Sequence, residues 1–212
     1  MRRFVFPCAL ALAVGIASQA SAAAVLRYSS DGTAGSARDN LVVLADAGDT
    51  VRLSVFVFQD SGDTRIAATG LTTAGFQANF NTGVGVVSNA TTDAGFSFGP
   101  PATFDNVAGT VVSGGGVNFF SPVRPGKDTG NALIGFFDYT VQQSGSTTTF
   151  TFTDPNPGST ADNVLDDASF TNLDPELFAN AGTITITSVP EPTTIMALSG
   201  LGCMVLLRRR RR

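Results

Sequence analysis

The chain of 212 residues has no His and no Trp, and its 2 Cys, Cys8 and Cys203, sit in apolar stretches near opposite ends. Without His or Cys, the region between them has neither base nor thiolate for a Ser-His-Asp or Cys-His relay. Zinc lacks its usual nitrogen and sulfur ligands there, and no disulfide can staple the region. Bases are scarce too. Residues 23–188 hold six, Arg27, Arg38, Arg52, Arg65, Arg124 and Lys127, against sixteen acids, which leaves a formal charge of −10. A surface of that sign repels phosphate backbones, so nucleic acid is not an expected partner. The one glutamate of this region is Glu176. Adjacent acids such as Asp166 and Asp167 project to opposite sides of an extended chain, so paired-carboxylate hydrolysis has no frame. No catalytic residues are expected, and the chain reads as a non-enzyme. Helical periodicity is also missing: no stretch offers three amphipathic turns, which argues against parallel βαβ units.

The ends are informative. Residues 1–22 have the layout of a secretory signal peptide. Arg2 and Arg3 are the charged start, Phe4 to Ile16 the apolar segment, and Ala20-Ser21-Ala22 places small residues at −3 and −1. Signal peptidase is expected to cut after Ala22; the alternative is an uncleaved N-terminal anchor. At the other end, residues 193–207 are an apolar run of 15. As a helix it spans about 22 Å, short of a roughly 30 Å hydrocarbon core. Arginine snorkelling and local thinning make a short single pass feasible. Pro190 and Pro192 bar helix upstream. Arg208, Arg209, Arg210, Arg211 and Arg212 follow, and such a basic cluster stays cytoplasmic.

Between the ends, β signals recur. Val51 to Phe58 places Val51, Leu53, Val55 and Val57 on one face, and Gly75 to Phe80 turns Phe76, Ala78 and Phe80 inward. Leu133 to Val141 is apolar enough to be a central strand. Thr147 to Thr153 alternates Thr with Phe150 and Phe152, and Thr183 to Thr187 repeats with period two. Shorter candidates are Val25 to Tyr28, Leu41 to Leu44, Val84 to Ser88, Phe96 to Phe98 and Val117 to Phe120. About ten strands separated by Gly, Asp, Asn, Ser and Pro predict an all-β chain, an antiparallel β-sandwich over residues 23–188.

One polar cluster stands out. Asp154, Asn156, Asp162, Asn163, Asp166, Asp167, Asn172, Asp174 and Glu176 crowd 23 residues. Oxygen ligands at that density suit Ca²⁺, but their order matches no EF-hand loop. The expectation is a solvated loop, with at most a weak Ca²⁺ site among Asp154, Asp162, Asp166, Asp167 and Asp174, and otherwise no cofactor.

The C-terminus resembles the PEP-CTERM sorting signal of Gram-negative bacteria. Val189, Pro190, Glu191 and Pro192 stand for its motif, residues 193–207 for its transmembrane helix and residues 208–212 for its Arg tail. The resemblance implies export across the inner membrane, a transient C-terminal anchor there, and recognition by an exosortase that cuts near Pro190-Glu191-Pro192. The product would reach the cell surface or medium, commonly in company with exopolysaccharide. A plain stop-transfer anchor is the alternative. The order of strand signals also resembles cohesin-like, carbohydrate-binding-type β-sandwiches of jelly-roll kind. Ala47-Gly48-Asp49-Thr50-Val51, Leu71 to Phe80, and Asn180 to Ile186 carry that likeness. Two functions compete: a surface or matrix protein working by contact with glycan or other surface proteins, or a Ca²⁺-dependent carbohydrate-binding module or adhesin. Sugar stacking would fall to Tyr28 and Tyr139, the 2 tyrosines, with no Trp to help, which favours the first.

Overall fold

Apolar–polar alternation, broken by turn residues, makes strand of most of the sequence. The computed structural model describes residues 23–96, 98–117, 123–158 and 162–190. The expected signal peptide and everything from Glu191 onward lie outside the described residues. In chain order the elements are β1 (Ala24–Ser29), β2 (Leu41–Ala45), β3 (Thr50–Gln59), α1 (Arg65–Thr69), β4 (Leu71–Phe80), β5 (Gly85–Thr92), β6 (Thr103–Asp105), β7 (Thr110–Val117), β8 (Asn131–Val141), β9 (Thr147–Thr153), β10 (Val164–Leu165), α2 (Asp174–Ala179) and β11 (Thr183–Ser188).

Two sheets form. One has the order β1-β3-β8-β5; the other runs β2-β11-β9-β4-β7-β6, with β10 added to β4. The described pairings are antiparallel except β2 with β11, which run parallel from Leu41↔Ile184 to Ala45↔Ser188. The chain is thus the expected β-sandwich, with one parallel edge strand that alternation alone cannot orient, since period two reads the same in both directions.

The core lies between the sheets. Leu53, Val55 and Val57 of β3 face Phe76 and Ala78 of β4, Phe150 and Phe152 of β9, and Ile184 and Ile186 of β11, all in one buried cluster. Both tyrosines join it. Tyr28 stacks on Phe152 with centroids 4.3 Å apart and donates to the Gly182 carbonyl at 3.2 Å. Tyr139 meets Phe150 edge-on, its hydroxyl 2.6 Å from that of Thr148. The rings bury their area while their hydroxyls keep partners.

β8 is as long and central as its apolar run predicts, and a bulge explains why that run lacks clean alternation. Ala132 and Ile134 point inward, then the phase changes and Phe137, Tyr139 and Val141 do. Register shifts in the pairings with β3 and β5 fall at this level. Gly135 sits at the bulge because a Cβ would come 2.5 Å from the Thr91 carbonyl oxygen.

Two strand expectations are corrected. Phe96 does not start the expected Phe96 to Phe98 strand: Ala94–Phe96 is a 3₁₀ turn, and residue 97 lies outside the described residues. The Asp93 carboxylate accepts from Gly95 N–H at 2.8 Å and its carbonyl from Phe96 N–H at 2.9 Å. Such a local trap outcompetes a ladder. The strand expected at Val117 to Phe120 is Thr110–Val117, and residues 118–120 lie outside the described ones. Its Gly114-Gly115-Gly116 run erases the alternation signal. At Gly116 the reason is space: a Cβ would meet Phe96 Cβ at 2.8 Å.

Candidate functional site

The densest polar constellation grows from a gap in a β ladder. β4 pairs on one edge with β7 from Asn79 to Thr73. Its other edge takes β9 at Gln77–Phe80 and β10 at Leu71 and Thr73. Between β9 and β10 the chain leaves the sheet, and the Asn163 side chain fills the break. Asn163 is fully buried. Its amide accepts from Gly75 N–H at 3.1 Å and donates to the Gly75 carbonyl at 2.9 Å, as a strand peptide would. It also donates to Asp174 Oδ1 at 2.7 Å. The Asn163 carbonyl accepts from Leu173 N–H at 2.8 Å, which docks the start of α2. Asp174 N–H is held by Asn172 Oδ1 at 2.9 Å. Pro175, with no N–H to satisfy, opens the helix.

This scaffold gathers three carboxylates: Asp154 just past β9, Asp162 just before Asn163, and Asp174 of α2. One oxygen from each lies within 4.8 Å of the others. Asp162 is 8% exposed and Asp174 5%. The Oδ2 atoms of both are buried with no hydrogen-bond partner. Among the described residues, the salt bridges pair Arg27 with Asp39, Arg52 with Asp138, Arg65 with Asp63 and Glu176, and Arg124 with Asp166; none reaches the trio. Uncompensated burial shows in the acidities. Burial, contact with the Asp154 carboxyl and the charge of Asp174 push Asp162 up to about 6. Burial also raises Asp174, against the pull of its Asn163 hydrogen bond. An open hollow of about 380 Å³, lined in part by Asp154, Pro157, Asn172, Asp174 and Phe178, adjoins the trio.

The other two aspartates of the sequence-predicted cluster are placed elsewhere. Asp166 accepts from Arg124 Nε at 2.7 Å and from the Thr72 hydroxyl at 3.0 Å. Asp167 closes the following turn, accepting from Ser169 N–H at 3.1 Å, Thr171 N–H at 3.0 Å and the Thr171 hydroxyl at 2.6 Å. Two features had no sequence signal. One is the ladder-filling role of Asn163, 88 residues from Gly75. The other is the network in which Arg65 bridges Asp63 (2.7 Å) and Glu176 (2.6 Å), with Glu176 Oε2 also accepting from Ala24 N–H at 3.1 Å.

The sorting segment begins where the sandwich stops. β11 ends at Ser188; Val189 N–H donates to the Ala45 carbonyl at 3.2 Å, and the Ser144 hydroxyl donates to the Val189 carbonyl at 3.3 Å. Glu191, Pro192, residues 193–207, Arg208 to Arg212, and Ala20 and Ala22 lie outside the described residues. Among the described residues no helix is long and apolar enough to cross a membrane. The carboxylate trio lies at the opposite end of the sandwich. β9 runs antiparallel to β11 with Thr147 beside Thr187, and Asp154 is seven residues further along. At about 3.4 Å per residue that is about 24 Å away.

Fold and site define a β-sandwich module with a buried carboxylate cluster at one end and a terminal signal leaving the other. Residues 188–212 match the PEP-CTERM protein-sorting motif. That motif implies export, exosortase processing and sorting to the cell surface. No curated protein matches the sequence. Several solved cohesins are similar in structure. CaCohA2 of Clostridium acetobutylicum is 13% identical, covering 79% of this chain and 92% of its own, with a TM-score of 0.46. The third cohesin of ScaC from Acetivibrio cellulolyticus, solved with the ScaB dockerin, is 12% identical over 71% of this chain and 96% of its own (TM-score 0.46). A non-cellulosomal cohesin of Archaeoglobus fulgidus is 7% identical over 83% and 98% (TM-score 0.47).

Proposed function

We propose that this chain is a surface or extracellular-matrix protein of a Gram-negative bacterium, delivered by signal peptidase and an exosortase, which works by contact rather than catalysis. The observation that carries this reading is the sorting motif at residues 188–212, which starts on the last residue of β11. The folded module therefore ends beside the motif, and the cut near Glu191 separates it from residues 193–207 without breaking a strand. At the other terminus β1 begins at Ala24, so cleavage after Ala22 removes nothing from the sandwich. Association with exopolysaccharide belongs to this reading and rests on the resemblance of the terminus alone.

Support for contact over catalysis comes from composition and from pairing. Residues 23–188 have no His and no Cys, and the buried Asp63 and Asp138 are occupied by arginines. A sugar-stacking role draws no support from the tyrosines, since Tyr28 and Tyr139 are both in the core.

Intact-mass spectrometry of the protein from its own host tests the reading. Loss of residues 1–22 and a second terminus close to Glu191 are expected. Replacing Pro190-Glu191-Pro192 with alanines, or Arg208 to Arg212 with glutamines, leaves a longer, membrane-retained form. Native protein with Arg212 still attached reduces the segment to an ordinary single-pass anchor.

A further inference from the structure

We propose that Asp154, Asp162 and Asp174 form a Ca²⁺ site that ties together the end of β9, the start of β10 and the start of α2. Geometry allows a shared ion. Two oxygens bound to one Ca²⁺ at about 2.4 Å cannot lie more than about 4.8 Å apart, and one oxygen from each of the three carboxylates meets that limit. Two observations point to a ligand beyond the clustering of acids. Asp162 and Asp174 are each more than nine-tenths buried, and the Oδ2 atom of each has no donor. Buried anionic oxygens without donors are costly, and coordination is the interaction that would satisfy them. The adjoining hollow of about 380 Å³ leaves room for the water and carbonyl oxygens that bring a Ca²⁺ shell to six or more.

The donors are oxygen only, which selects a hard cation over zinc or copper. Between the two common hard divalent ions, the site suits Ca²⁺. Mg²⁺ binds at about 2.0–2.1 Å in a strict octahedron and keeps several of its waters, whereas Ca²⁺ tolerates irregular ligands from separate segments. A divalent ion would change the charge of the trio from −3 to −1. It would also clamp Asp154 to Asp174 across the connection that Asn163 already pins to β4.

The rival arrangement is a proton shared between the touching carboxyls of Asp154 and Asp162. The purified full chain in detergent micelles, stripped with EGTA, separates the two. Its thermal midpoint, followed by the β-sheet circular dichroism signal, is measured in EGTA, in about 5 mM CaCl₂ and in about 5 mM MgCl₂, since extracellular Ca²⁺ modules bind at roughly 10⁻⁴–10⁻³ M. Calcium is expected to raise the midpoint by about 2–9 °C, with little from magnesium. Titration calorimetry should give one Ca²⁺ per chain. Asp162→Asn should fold, since the amide keeps the shape of the carboxylate and an oxygen acceptor, and should lose both the shift and the heat; Asp167→Asn should keep both. No calcium heat in the wild type overturns the site, and a midpoint that rises only on acidification favours the shared proton against it. Equal shifts from both ions overturn the choice of Ca²⁺, and a shift that survives in Asp162→Asn and Asp154→Asn overturns the ligand set. Each readout is independent of exosortase processing.

Discussion

Asp63, Arg65 and Glu176 meet near one end of the sandwich, and Asp154, Asp162 and Asp174 meet at the same end, yet the two groups are settled differently. Helix α2 contributes one acid to each: Asp174 and Glu176 are two residues apart, a spacing that sends side chains to different sides. In the first group a guanidinium lies between the carboxylates. Burial alone would raise Asp63, but its hydrogen bonds from Arg65 bring it net below its ordinary value. Arg65 likewise lowers Glu176. In the second group no arginine arrives among the described residues, and Asp162 and Asp174 are raised instead. Asp63 and Asp174, both nearly fully buried, thus differ through one side chain. Where the chain supplies no cation, either a proton or an ion from outside must.

The largest effect should come from the residue that positions the second group. Asn163→Leu leaves the Gly75 N–H and carbonyl buried without partners and frees Asp174. A loss of about 3 kcal/mol is expected in urea denaturation. Loss of the first group's cation comes next. Arg65→Met strands Asp63, whose side chain is 1% exposed. It should destabilise by about 2 kcal/mol, below the figure for a fully buried pair, because Arg65 and Glu176 are about a third exposed. Adding Glu176→Gln should recover part of that loss; no recovery would mean the two acids do not share the arginine energetically. In the second group the sign reverses: in EGTA, Asp162→Asn should gain about 1 kcal/mol by removing a charge that burial disfavours.

Acidity separates the groups further. Asp63 and Glu176 have lowered pKa values in the fold, so their contribution is full above the ordinary carboxylate range and is lost as pH falls through their folded values. Asp162 is raised from 3.8 to about 6, so without calcium its contribution is unfavourable above that window and relaxes as pH falls through it. Denaturation curves in EGTA between about pH 4 and 7 should therefore show Asp162→Asn losing its advantage over wild type toward the acid end. A constant difference would place the carboxyl in a solvated site. The smallest effect belongs to a surface remote from both groups. Leu44 on β2 is 70% exposed. Leu44→Thr should therefore change stability by less than about 0.5 kcal/mol in the same urea titration.

Much of the fold was legible because alternation is a local property. Thr147 to Thr153 shows its buried Phe150 and Phe152 in the order of the residues, and β9 follows it without exception. Legibility failed where a short-range bond or missing side chains replaced the pattern, as at Asp93 with its 3₁₀ turn and along Gly114-Gly115-Gly116. The candidate site was half legible. The acids were visible as a crowd, but composition could not sort Asp154, Asp162 and Asp174 from Asp166 and Asp167.

By itself, then, the sequence determined most of the strand-forming segments, the charge of residues 23–188 and their lack of thiol and imidazole, and the three ordered parts of the C-terminal signal, because each is written in neighbouring residues or in totals. Only the tertiary structure decided which edge β2 pairs with, that both tyrosines go to the core, that Asp166 finds Arg124 and Asp63 shares Arg65 with Glu176, and that three carboxylates are left facing one another. Those outcomes depend on partners tens of residues away, brought together by sheet register. A carboxylate's fate is set by which donors reach it once water is excluded, and that is known only when the strands have paired.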